Sequence, residues 1–219
     1  MFYFRIDKVR ILDNRENGFL FFSRDLAEIK LVSFITTGDT AFPDLDPFLA
    51  ETDPEKKKKL AAAMVTQVVS NRNLATIDNV KDDQRITFGD TGYVVFQADR
   101  IPQDFNWCFV ALEDDGDVRD VGASIDEVLQ NPGFDAFTAN LAVLVGAAAN
   151  PGFAAGVVVS KFVAGVVADN LKKKKDDLAG LLYMSLNRRE HYPHGERKRD
   201  DVGDLTGNMF VDYSLFGFE

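Results

Sequence analysis

From Ala136 to Ser160 the chain carries no charged side chain, and Asn150-Pro151-Gly152 cuts that run near its middle. So apolar a stretch must be hidden from water. A helix needs about 20 apolar residues to cross a bilayer, and neither half of the run is that long, while Lys161 and Asp169 interrupt the second helix. The run also belongs to a repeat, because Asn131-Pro-Gly-Phe134 recurs as Asn150-Pro-Gly-Phe153. Asn accepts an orphan N–H at a helix start, and Pro in the first turn wastes no donor. The spacing predicts a helical hairpin, roughly 132–148 and 151–171, within a helical insertion at about 131–175. Small residues such as Gly152 and Gly156 suit close packing, and a buried hairpin is expected rather than membrane insertion. Lys172 to Lys175 would complement the dipole at its end.

Elsewhere the pattern is mostly of period two. Residues 2–12 place Phe2, Phe4, Ile6, Val9 and Ile11 on apolar faces, with a parity slip near Asp7-Lys8 that predicts a bulge. Ala27 to Thr37 reads as a second strand closed by Gly38-Asp39, and residues 39–52 as a loop rich in Pro and Asp. Asp53-Pro54-Glu55 predicts a helix start, because Asp caps, Pro fits the first turn and Glu favours the positive dipole end. That helix should reach about Ser70, with Leu60, Met64, Val65 and Val68 inward and Lys56 to Lys59 in solvent. Further strands are expected at 85–88, 93–97, 107–112 and 208–216. Gly180 to Leu186 reads as a strand or a helix end, and 187–204 as a charged loop. Seven or eight strands with helical insertions at about 53–70 and 131–175 do not alternate as a parallel sheet requires. The expected fold is mainly β: one antiparallel β-sandwich domain over residues 1–219 with inserted α-helices.

Lys plus Arg total 25 against 35 Asp plus Glu, a formal charge of −10. Such a field repels nucleic acid, so no nucleic-acid partner is expected, and binding to a phosphate surface would need a local patch or a bridging cation. The single Cys108 excludes an intramolecular disulfide. The first residues lack the basic start, long apolar centre and cleavage site of a signal peptide. The expected location is the cytoplasm or the membrane periphery, or export by a route that needs no signal.

The apolar strand after Trp107 runs straight into Glu113, Asp114, Asp115, Asp117 and Asp120. Crowded carboxylates raise one another's pKa unless a cation offsets them, and Ca²⁺ wants six to eight oxygen ligands. Asp115-Gly116 is equally a turn signal, for which a solvated acidic tip is the plain reading. Earlier, an opening strand passes through Leu12-Asp13-Asn-Arg-Glu-Asn-Gly18 to Asp25-Leu-Ala-Glu-Ile-Lys-Leu31. The chain closes on Gly207-Asn-Met-Phe-Val-Asp-Tyr213. Together these segments resemble a C2 domain, the calcium- and phospholipid-binding β-sandwich. The resemblance implies a Ca²⁺ site made by Asp13, Asp25, Asp115, Asp117 and Asp120, with Glu113 less favoured. It implies calcium-dependent binding to an anionic phospholipid surface or to a protein partner. Phe19-Leu-Phe-Phe22 would then be either an apolar tip entering lipid or part of a strand or the core.

Two rival readings stand beside it. Glu190-His191-Tyr-Pro-His194 places both histidines three apart, which suggests a metal-dependent hydrolase, but Pro193 argues against a zinc-binding helix. The sequence has no Gly-x-Ser-x-Gly elbow, phosphate-binding Gly loop or dinucleotide fingerprint. Arg188, Arg189, Arg197, Lys198 and Arg199 form a local basic patch that reads as a solvated loop. The other rival is a membrane-perturbing or partner-binding protein acting through the 131–175 hairpin. The leading expectation is a non-enzymatic binding module using the acidic loops.

Overall fold

Phe2, Phe4 and Ile6 are buried while Tyr3 and Arg5 between them are half-buried, so β1 (Phe2–Ile11) turns one face to the core. After Asp7 the parity switches, and Val9 and Ile11 take the core positions. The register against the last strand, β9 (Met209–Gly217), shifts between Ile6 and Lys8. That is the bulge expected from Asp7-Lys8. This architecture comes from a computed structural model that describes residues 1–14, 26–70, 72–113, 129–173, 178–192 and 195–218, with the backbone alone at 72–74 and 167–173.

Between these two strands the chain forms β2 (Ala27–Thr37), α1 (Leu45–Ala50), α2 (Pro54–Ser70), β3 (Arg72–Val80), β4 (Gln84–Thr87), β5 (Tyr93–Ala98) and β6 (Asp104–Glu113). It continues through α3 (Phe134–Gly146), α4 (Pro151–Lys173), β7 (Leu178–Asn187) and β8 (Gly195–Gly203). All strand pairings are antiparallel. One sheet has the order β4-β1-β9-β8, with β5 lying beyond β4 along the same edge of β1. The other has the order β3-β2-β6-β7. The protein is thus mainly β, an antiparallel sandwich with inserted helices that include the expected hairpin.

Aromatic side chains join the sheets. The Phe4 ring centroid lies 4.6 Å from that of Trp107 and 4.9 Å from that of Phe105, and Trp107 donates Nε1–H to Ser33 Oγ at 3.1 Å. A second core lies on the other face of β2, β6 and β7, where Val32, Phe34, Cys108, Val110 and Leu181 pack against Met64, Val65, Phe134, Leu141 and Val159 of the helices. β6 is therefore buried on both faces. This double burial explains why its sequence is a continuous apolar run rather than an alternation.

Three segments differ from expectation. Residues 195–203, expected within a charged loop, form edge strand β8, which takes its backbone partners from β9 and leaves most of its charged side chains in water. Residues 72–80 form β3 on the edge of β2, although their polar sequence carries no clean alternation. The 39–52 loop contains α1, pinned by buried Leu45 and Phe48. By contrast α2 begins where its cap requires, with Asp53 Oδ1 accepting the N–H groups of Glu55 at 2.9 Å and Lys56 at 3.2 Å.

β7 is an edge strand without a charged residue. Its outward backbone groups are occupied towards both ends. Leu181 N–H donates to Asp204 Oδ2 at 2.7 Å while its carbonyl accepts from Leu205 at 2.8 Å. Asn187 N–H donates to His191 Nδ1 at 3.1 Å and its carbonyl accepts from His191 at 2.9 Å. Outward groups alternate along an antiparallel strand, so between these caps Tyr183 and Ser185 present outward groups that meet no partner among the described residues.

Candidate functional site

The two copies of the Asn-Pro-Gly-Phe repeat start the hairpin helices differently. At the second, Asn150 Oδ1 accepts the N–H of Phe153 at 3.1 Å and α4 begins at Pro151. At the first, Asn131 Oδ1 accepts the N–H of Gly133 at 2.8 Å, a turn forms, and α3 begins only at Phe134. α3 buries Phe134, Phe137, Thr138, Leu141 and Val145, a stripe with helical spacing. α4 lies close on the second sheet, where an added Cβ on Gly156 would come within 3.0 Å of Thr36 Oγ1. Thr36 shares a buried polar seam with Asn106 Nδ2 at 3.3 Å and Ser160 Oγ at 3.4 Å. This seam fixes the helix's position over an otherwise apolar surface.

Between its two helices the hairpin opens into a groove of about 650 Å³, lined chiefly by Ala136, Phe137, Leu144, Phe153 and Val157 together with Lys161. The Phe137 and Phe162 rings stack at 4.0 Å and join the two helices there. Beside the groove Val143 is 69% and Leu144 55% exposed, a large apolar exposure for adjacent residues. No helix of the described residues is long and apolar enough to cross a membrane. The sequence signal for the groove was the uncharged run itself. Val143 and Leu144 lie off the buried stripe, but the groove exists only once α3 and α4 have packed.

The described flanks of the acidic segments stand at one end of the sandwich. The strand registers pair Ile11 with Met209 and Gln84, Ala27 with Val80, Ile29 with Glu113, and Leu112 with Leu178. The end of β1, the start of β2 and the end of β6 therefore coincide. Asn208 ties the sheets here, its Nδ2 donating to the carbonyls of Asp13 at 2.8 Å and Ala179 at 2.7 Å. Its Oδ1 accepts Asp13 N–H at 3.0 Å. Asp13 is exposed, whereas Glu113 is buried. Asp25, Asp115, Asp117 and Asp120 lie outside the described residues, as does Phe19-Leu-Phe-Phe22. Among the described residues no group of three or more His, Cys, Asp or Glu side chains could hold a metal ion.

Other reactive groups have structural surroundings. His191 Nδ1 accepts the backbone N–H of Asn187, so it closes a turn, and Arg197 reaches back to the carbonyls of Glu190 and His191. His194 lies outside the described residues. Cys108 is fully buried, and desolvation pushes its thiol pKa up to about 12. Burial likewise raises the Tyr183 hydroxyl to about 12. Asp104 is held above the usual carboxylate range by desolvation and then by Asp39.

The fold and site thus define an antiparallel β-sandwich that carries a helical layer with an open apolar groove. No protein-family model matches the sequence and no curated protein matches it.

Proposed function

We propose that the protein is a non-enzymatic binding module whose binding element is the apolar groove of its helical hairpin. The observation that carries this reading is the groove itself, about 650 Å³ between α3 and α4 with exposed Val143 and Leu144 beside it. Concave apolar sites with few polar groups are the usual form of a ligand site, and contiguous apolar exposure marks interaction surfaces. A neutral solvatochromic dye, whose emission rises in apolar surroundings, tests it. Dye bound by the wild type should be lost in Leu144→Glu, which places a charge at the groove without touching the core. Undiminished binding in that variant sinks the reading.

A second reading is supported by a separate observation. The described flanks of both acidic segments, Asp13-Asn14 and Leu26 for one and Glu113 for the other, stand at the same end of the sandwich. The C2 resemblance proposes Ca²⁺ there, on Asp13, Asp25, Asp115, Asp117 and Asp120, with a phospholipid surface or a protein as the partner. A cation would remove the mutual repulsion of these carboxylates and reverse the local field, allowing an anionic surface to approach.

A further inference from the structure

We propose that the groove between α3 and α4 takes a single-chain anionic amphiphile, a long-chain carboxylate, with its chain along the apolar lining and its head at Lys161. The proposal rests on the reading of this groove as the binding element and names the ligand class. Its warrant is charge complementarity. Lys161 is the only charged residue among the described residues of the lining, to which Asn140 adds an amide. Lys161 is exposed and forms no ion pair among the described residues; its Nζ lies 5.6 Å from the centroid of the Tyr183 ring. The nearby Lys58, by contrast, is paired with Asp135 at 2.6 Å. A cation on a flexible stem, beside an uncharged apolar channel, suits one carboxylate head on one tail.

Shape narrows the occupant further. At a rise of 1.5 Å per residue, Phe153 and Lys161 stand about 12 Å apart along α4, the scale of an extended medium-length acyl tail. The stacked Phe137 and Phe162 rings bring the two helices together within the groove. The formal charge of −10 opposes any anion at long range. The tail must therefore supply most of the affinity, and a short carboxylate has too little apolar surface to be retained.

Titration calorimetry of the full chain with sodium dodecanoate below its micelle concentration tests the proposal, with dodecyltrimethylammonium and acetate as comparison ligands. Saturable binding of dodecanoate alone is expected. Lys161→Gln should weaken it about fivefold by removing a charge-assisted contact. Ala136→Phe, at an exposed position that fills the groove, should weaken it about tenfold with an unchanged melting temperature in the absence of ligand. Equal binding of both long-chain ions, blocked by Ala136→Phe, overturns the carboxylate assignment while leaving the groove as the binding element. Dodecanoate binding that ignores Ala136→Phe overturns both. Absence of dodecanoate binding, or acetate bound as tightly, overturns the amphiphile.

Discussion

Asn208 and Asp13 hold each other by two reciprocal hydrogen bonds, Asp13 N–H to Asn208 Oδ1 at 3.0 Å and Asn208 Nδ2 to the Asp13 carbonyl at 2.8 Å. Because Asn208 Nδ2 also reaches the Ala179 carbonyl at 2.7 Å, one amide spans both sheets at the end where the acidic segments begin. Truncating it strands backbone groups from water as well as removing the bonds. Asn208→Ala is expected to lower unfolding free energy by about 2–3 kcal/mol, read from the urea midpoint at unchanged slope. A loss below half a kilocalorie would show that this clamp is not structural.

The calcium reading predicts a ligand that binds the folded chain and not the unfolded one. At a Ca²⁺ concentration about 100 times its dissociation constant, stability should rise by about 2.7 kcal/mol, seen as a higher melting midpoint. Mg²⁺ should not substitute, and Asp115→Asn should blunt the response. A melt indifferent to millimolar Ca²⁺ removes this reading and leaves the hairpin groove untouched.

Two glycines of α4 should respond oppositely to the same methyl group. At Gly165 an added Cβ meets nothing within 4 Å, so Gly165→Ala should stabilise by about 0.5–1 kcal/mol through helix propensity. At Gly156 the Cβ comes within 3.0 Å of Thr36 Oγ1 and 3.3 Å of Thr36 Cβ. Thr36 is buried and bonded within the polar seam, and cannot easily withdraw. Gly156→Ala should therefore destabilise by about 1–3 kcal/mol. Thermal melts of the two variants decide the matter, and a shared sign refutes the packing argument.

Burial of Cys108 and Tyr183 fixes the direction of an alkaline transition. Both folded-state pKa values are pushed up to about 12, against roughly 8.5 for a free thiol and 10 for a free phenol. The folded chain holds protons that the unfolded chain releases, so stability is complete below about pH 8.5 and falls as pH rises towards the folded values. Cys108→Ala should flatten the first part of that fall in urea titrations run at increasing pH. A thiol reagent at neutral pH should modify Cys108 only as fast as the chain opens.

Legibility in the sequence followed burial. β1, β2, β6 and β9 have two paired neighbours or a fully apolar face, and their patterns placed them within a few residues. α2 and the second hairpin helix carried caps in the sequence, at Asp53 and Asn150, whereas Asn131 bonds into the turn before α3. β3 and β8 sit on edges, and what makes them strands is the backbone of β2 and β9. Glu196 to Arg199 therefore read as a charged loop although they are paired with β9. For the sites, the sequence showed acids and an apolar run but not their spatial setting. The shared end of the acidic flanks came from strand register, and the groove from the packing of α3 on α4.

The caps on β7 bear on how this chain behaves when crowded. A ten-residue strand with no charge and a bare side would ordinarily act as a seed, adding one copy after another until a fibril forms. Here Asp204, Leu205 and His191 cover the strand so that, among the described residues, the stretch left bare is that around Tyr183 and Ser185, too short a template for the next molecule to lock on. The chain can thus keep an apolar margin beside its hairpin without becoming a nucleus for its own precipitation.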